Sequence, residues 1–179
     1  MPRKRMASAL IVPAYGYVRK EENAGSNGTK ARIDTACKLI LDGYVPPEVI
    51  MPFPQRRRLG ANAAAYARKQ RQLRRAHITA RPRSWGTWDD MHASYNLIRE
   101  VVGDYPVRVH IVSDQLHLMR IWLVWLFTHP KGWRAKFYVA RHHRGFRGLI
   151  HELGGIVHYF FRGLHYLLVR GKERLRPKH

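Results

Sequence analysis

Short apolar runs alternate along the chain with stretches of helical periodicity. Residues 7–14 (ASALIVPA) have the length and near-continuous apolar character of a strand buried on both faces. Residues 30–43 place Ile33, Ala36, Cys37, Ile40 and Leu41 on one helical face, and Gly43 supplies a stop signal. Residues 47–51 (PEVIM) predict a second strand, and 59–75 a helix with an alanine-rich face and a strongly basic outer face. Residues 76–80 (AHITA) give a weak third strand. A helix over 87–102 follows, where Thr87 and Asp90 resemble a capping box. The remaining elements are a strand at 107–112 (VRVHIV), an apolar helix at 116–127, a strand at 135–140 and a closing amphipathic helix at 148–170.

The resulting order is strand–helix repeated five times. Helices of this length between strands imply a mostly parallel five-stranded sheet with right-handed crossovers, covered on both faces. The expected fold class is α/β, a three-layer α/β/α Rossmann-like sandwich. In such sheets ligands bind beyond the carboxyl ends of the strands, near the point where strand order reverses. A basic tail (1–7), one domain (8–170) and a second basic tail (171–179) make up the expected organisation.

The 179 residues suffice for one sizeable core, and an apolar fraction of 45% is that of a globular chain. Charge changes the picture more. Lys and Arg number 33 against 12 acidic residues, a formal +21, so the surface attracts polyanions: phosphorylated ligands, anionic lipid or nucleic acid. A generally basic, soluble surface would read the same way. The single Cys37 excludes an intrachain disulfide and a thiolate metal cluster, and its apolar neighbours suggest a packed thiol. The run at 7–14 is too short for a secretory core, and 149–169 is interrupted by His151, Glu152, His158, Arg162 and His165. A cytoplasmic chain is expected, with peripheral attachment at an inner membrane as the alternative.

Three strand-end segments carry chemistry. The first runs from Tyr15 past Gly16 to Gly28, Thr29 and Lys30; small residues opening a helix let a phosphate approach free N–H groups, although the spacing is not that of a Walker loop. The second, 84–90, offers Ser84, Thr87, Asp89 and Asp90 at a helix start, where plain capping explains the same residues. The third, 113–120, follows the clearest strand. His117 and Arg120 stand three apart on one helix face, a proton-transfer group beside an anion clamp. His151-Glu152 fails as a zincin motif because position 155 is Gly155. His151, His158 and His165 recur at steps of about 10 Å along a helix axis, too far apart for one metal. They read as an interface stripe, and no metal site is expected. Arg56–Arg58 and the arginines of 68–75 lack the interleaved aromatics of a stacking platform and any recognised nucleic-acid module.

Three stretches resemble the YdcF-like, SanA-like (also ElyC-like) domain of unknown function over about residues 8–165. Arg32-Ile33-Asp34-Thr35-Ala36 with Leu39 and Gly43 resembles its R-x-x-x-A-x-x-L-x-x-x-G helix. Ser84 to Asp90 resembles its S-x-x-T-x-E-N segment, and Val112 to Arg120 its V-T-S-x-x-H-M-x-R segment. The resemblance implies a Rossmann-like domain, a link to the bacterial cell envelope, and S-adenosylmethionine or a nucleotide as ligand. Carried over, the site comprises Arg32, Ser84, Thr87, Asp89, Ser113, His117 and Arg120, with Gly16 and Thr29 on the first loop. The chain departs from the pattern after its second strand, where Met51-Pro52-Phe53-Pro54 stands in place of Ser-Gly-Gly. A bulky, basic rim there favours a more anionic ligand or a degenerate site. The expected function is binding of a nucleotide-derived or phosphorylated small molecule at the strand ends. His117 and Asp89 are the candidate catalytic groups; no reaction is assigned. The alternative is a basic nucleic-acid-binding protein without catalysis.

Overall fold

The computed structural model describes residues 6–13, 27–55, 59–82, 86–141 and 146–175. Five parallel strands form one sheet: β1 (Ala7–Ile11), β2 (Ile50–Gln55), β3 (His77–Pro82), β4 (Val107–Ser113) and β5 (Arg134–Val139). The helices are α1 (Asn27–Leu41), α2 (Leu59–Lys69), α3 (Thr87–Val102), α4 (Gln115–Thr128) and α5 (Phe146–Leu175), with a 3-10 turn at Arg71–Leu73. Strand order is β3-β2-β1-β4-β5. The chain winds outward from β1 to β3, returns through α3 and continues on the other side with β4. The reversal lies between β1 and β4, as in doubly wound nucleotide-binding sheets.

Period-two alternation divides the core. Ala9 and Ile11 of β1, with Val107, Val109 and Ile111 of β4, face a layer built from α3, α4 and α5. Leu10, Val12, Met51, Phe53 and Val112 face α1 and α2, whose Ile33, Ala36, Ala63, Ala64 and Ala67 pack against them. The three-layer α/β/α sandwich expected from the alternation is therefore the fold. Cys37 belongs to this second layer, and burial, reinforced by Asp34, pushes its thiol up to about 11, so it stays protonated at neutral pH. The last helix docks on α4 through Gly155 and Gly163. A Cβ at the first would meet the Arg120 guanidinium 2.6 Å away, and at the second would strike the Phe127 ring.

Several expectations need correction, among them the helix expected over 59–75, which ends at Lys69 before the 3-10 turn. The second strand is Ile50–Gln55, not 47–51. Met51 and Phe53 are core side chains inside it, while Arg56–Arg58, which carry the basic part of the expected rim, lie outside the described residues. Pro52 and Pro54 stand two apart and withhold their missing N–H groups on the same side. The β3 ladder runs unbroken from Ile50↔His77 to Gln55↔Pro82, whereas β1 pairs with β2 only at Ala9↔Ile50. We attribute the short ladder to the donor-less side. The helix expected over 30–43 starts at Asn27 and ends at Leu41, which brings Gly28 and Thr29 into its first turn. The closing helix runs on to Leu175, well into the stretch expected as a tail. Thr87 forms no capping box: Asp90 N–H bonds to the Gly86 carbonyl, so the helix already encloses Thr87, and Gly86 is the N-cap without a side-chain bond.

One buried titratable group in the core carries a pH prediction. His110 of β4 is 1% exposed, its Nδ1 lies 3.1 Å from the Tyr138 hydroxyl, and its Nε2 has no hydrogen-bond partner. Burial, then Arg108 and Lys136, pushes it from 6.5 down to about 4. Between those values the unfolded chain binds more protons than the folded one, so this contribution is full above pH 6.5 and is lost as pH falls toward 4. We expect up to about 3 kcal/mol of acid-side loss from this group. His110→Leu should flatten the pH dependence of urea-denaturation stability over that window; an unchanged slope would contradict the assignment.

Candidate functional site

The strand ends at the reversal are locked together by charge. Pro13, two residues beyond β1, presents its carbonyl to Nη1 of Arg32, on the second turn of α1. Nη2 of the same guanidinium donates to Oδ2 of Asp114, just beyond β4. The Arg32 side chain is 0% exposed and that of Asp114 is 4% exposed. Ions this far from water are tolerated only when paired and hydrogen-bonded. The other carboxylate oxygen, Oδ1, accepts the backbone N–H of His117 at 3.1 Å, making Asp114 the N-cap of α4. One carboxylate thus ties α1, on one face of the sheet, to α4 on the other.

From α4 the polar chain continues outward. His117 is buried, and its Nδ1 lies 2.9 Å from Nη2 of Arg120. A guanidinium can only donate, so Nδ1 accepts and a neutral imidazole carries its proton on Nε2. The ring is thereby oriented as a hydrogen-bond donor at Nε2. Arg120 also places its Cζ 5.6 Å from the centroid of Tyr159 on α5. Tyr159 stacks on Trp88 of α3 at 6.4 Å and 9°, and Arg162 covers Trp88 at 5.0 Å. Asp89 meets Arg162 at 3.7 Å. A cation–aromatic strip therefore joins the first turns of α3 and α4 through α5.

The structure brings Arg32, Ser113, His117 and Arg120 to one region, the carboxyl end of β4 and the helix beside it. Thr29 is buried in the first turn of α1. Thr87 is buried at the start of α3. Asp89 is engaged by α5. Gly16 and Ser84 lie outside the described residues. Arg32, expected as an anion clamp, is spent on Asp114 and the Pro13 carbonyl, which leaves Arg120 as the cation nearer the surface. Asp114 was missed as a site residue, though an Asp between a strand and a helix is an N-cap signature. Tyr159 was missed because the periodicity of its helix drew attention to the histidine stripe. His158 and His165 of that stripe are exposed, and the side chain of His151 is outside the described set.

Two features suit an anionic ligand. The α4 N-terminus already holds a carboxylate of its own, but the first turn of α1 carries no acidic residue and includes Lys30. Helix N-termini favour anions, which the acid-free first turn of α1 suits. Ser113, the last residue of β4, is 0% exposed, and among the described residues its Oγ has no hydrogen-bond partner. An unsatisfied buried hydroxyl costs about 1–3 kcal/mol, so it is the kind of group a ligand repays. No protein-family model, curated protein or solved structure matches the chain.

The charge lock has a measurable consequence. Asp114→Ala removes the cap and leaves a buried guanidinium short of its carboxylate. We expect a loss of about 3–5 kcal/mol in urea denaturation, well above the roughly 1 kcal/mol of an N-cap alone. A loss confined to the cap value would show that the ion pair adds nothing.

Proposed function

We propose that the crevice between β1 and β4 binds an anionic small molecule of the phosphorylated or nucleotide-derived class. The observation that carries this reading is the buried Ser113 hydroxyl at the strand reversal, which has no hydrogen-bond partner among the described residues. In this reading Ser113 Oγ bonds a polar group of the ligand, Lys30 in the acid-free first turn of α1 attracts its phosphate, and His117 and Arg120 lie toward its anionic end. Arg32 and Asp114 act one step back, fixing the distance between the two strand ends. The resemblance to YdcF-like domains adds S-adenosylmethionine and nucleotides as first probes and an envelope-linked role as context.

A thermal-shift and calorimetric screen with S-adenosylmethionine, nucleotides and polyprenyl-phosphate analogues tests the proposal. A ligand at a hundredfold excess over its Kd is expected to stabilise the fold by about 2.7 kcal/mol. His117→Ala with Arg120→Ala should abolish binding while the protein remains folded; unchanged affinity in that variant would sink the site. Arg32→Ala is unsuitable here, since it disturbs the lock itself.

A second reading rests on a different face. Arg68, Lys69, Arg71, Arg74 and Arg75 are exposed along α2 and the turn after it, with Glu48 the partner of Arg75. This row, on a chain of formal +21, would bind nucleic acid through phosphate contacts. Such binding should weaken steeply and log-linearly with salt, and a flat dependence on a nonspecific duplex would remove the reading.

A further inference from the structure

The outer face of α5 is apolar, exposed and unpartnered among the described residues. Ile150, Leu153, Val157, Phe160, Leu164 and Leu167 recur at alternating steps of three and four, and all are exposed. They form a stripe about 25 Å long at 1.5 Å per residue. Phe161 and Leu168 widen it, at 64% and 67% exposure. The inner face of the same helix is used separately: Tyr159 and Gly163 are buried against α3 and α4. A monomeric surface rarely leaves so long an apolar stripe in water.

The charge beside the stripe identifies what covers it. His158, Arg162 and His165 are exposed along the polar arc of the helix, Arg162 also meeting Asp89 and Trp88, and the sequence after them is basic, with Arg170, Lys172 and Arg174 against one acid, Glu173. A helix with a continuous apolar face and a basic polar face lies in the interface of an anionic bilayer. It does not span one: no helix among the described residues is long and apolar enough to cross a membrane. The three–four spacing would also suit pairing with a second copy, as in a coiled coil. Flanking positions argue against that. Gly154, Ile156, Phe161, Gly163 and Leu168 offer no opposite charges to set a register, and two chains of formal +21 repel each other. We propose that the outer face of α5 docks this protein onto an anionic phospholipid surface, Phe161 and Leu168 entering the acyl boundary and the basic arc meeting the headgroups. The site between β1 and β4 plays no part in this argument.

Sedimentation of the full chain with vesicles tests it. Binding is expected to equimolar phosphatidylcholine and phosphatidylglycerol, to fall on raising salt, and to be weak with phosphatidylcholine alone. Phe161→Ser with Leu168→Ser should weaken it at least roughly tenfold at an unchanged melting temperature. A second measurement leaves the apolar face almost intact. Leu168→Cys can be labelled with an environment-sensitive dye, because Cys37 is buried. The label's emission should shift to the blue on adding the anionic vesicles. Equal binding by the serine variant, equal binding to the two vesicle types, or an unshifted label would overturn the proposal. So would a dimer in place of vesicle binding that the serine substitutions dissolve, which would give the face to a second copy.

Discussion

The buried ion pair between Arg32 and Asp114 is the constraint on which the candidate site depends. It joins the helix after β1 to the cap of the helix after β4, and its third contact, the Pro13 carbonyl, fixes the chain leaving β1. Those are the two strands at which the winding of the sheet reverses. Energetics decide what such a pair is for. Desolvating two ions offsets most of their attraction, so a buried pair contributes little net stability, yet removing one partner is severe. The pair is therefore better understood as setting one arrangement of the crevice than as the source of the fold's stability. That comes from the two apolar layers, where each fully buried aliphatic or aromatic side chain contributes about 1.5–3 kcal/mol.

Most of the architecture was legible in the sequence because it rests on periodicity. Val107, Val109 and Ile111 alternate with Val112 and His110 across the sheet, and the helical face expected over 30–43 buries Ile33, Ala36 and Cys37, half-buries Ile40 and leaves Leu41 exposed at its end. The errors arose where a local rule met a tertiary demand. The second strand was expected to end at Met51, but Met51 and Phe53 pack in the core and β3 pairs along the whole of Ile50–Gln55 despite its two prolines. Thr87 had the composition of a cap, but Gly86 is the N-cap and Thr87 is the first residue of the helix.

The site was only partly legible, for a different reason. Sequence spacing brought His117 and Arg120 together because both lie on one helix, three residues apart. Nothing local showed that Arg32, 82 positions from Asp114, would consume its charge internally. A buried arginine and a partly exposed one look alike in a sequence; only the topology shows that Arg32 is spent on the fold. The same holds for α5. Its inner and outer faces are both apolar, and the fold reveals that α3 and α4 occupy one of them.

Arg32 and Asp114 act as one unit that joins the ends of β1 and β4. A double-mutant cycle in urea denaturation tests it most directly, with Arg32→Met, Asp114→Leu and the two combined. Strong non-additivity is expected. Each single change should be severe and the double change much milder than their sum, with a coupling of at least about 2 kcal/mol. Effects that add to within about 0.5 kcal/mol would contradict it.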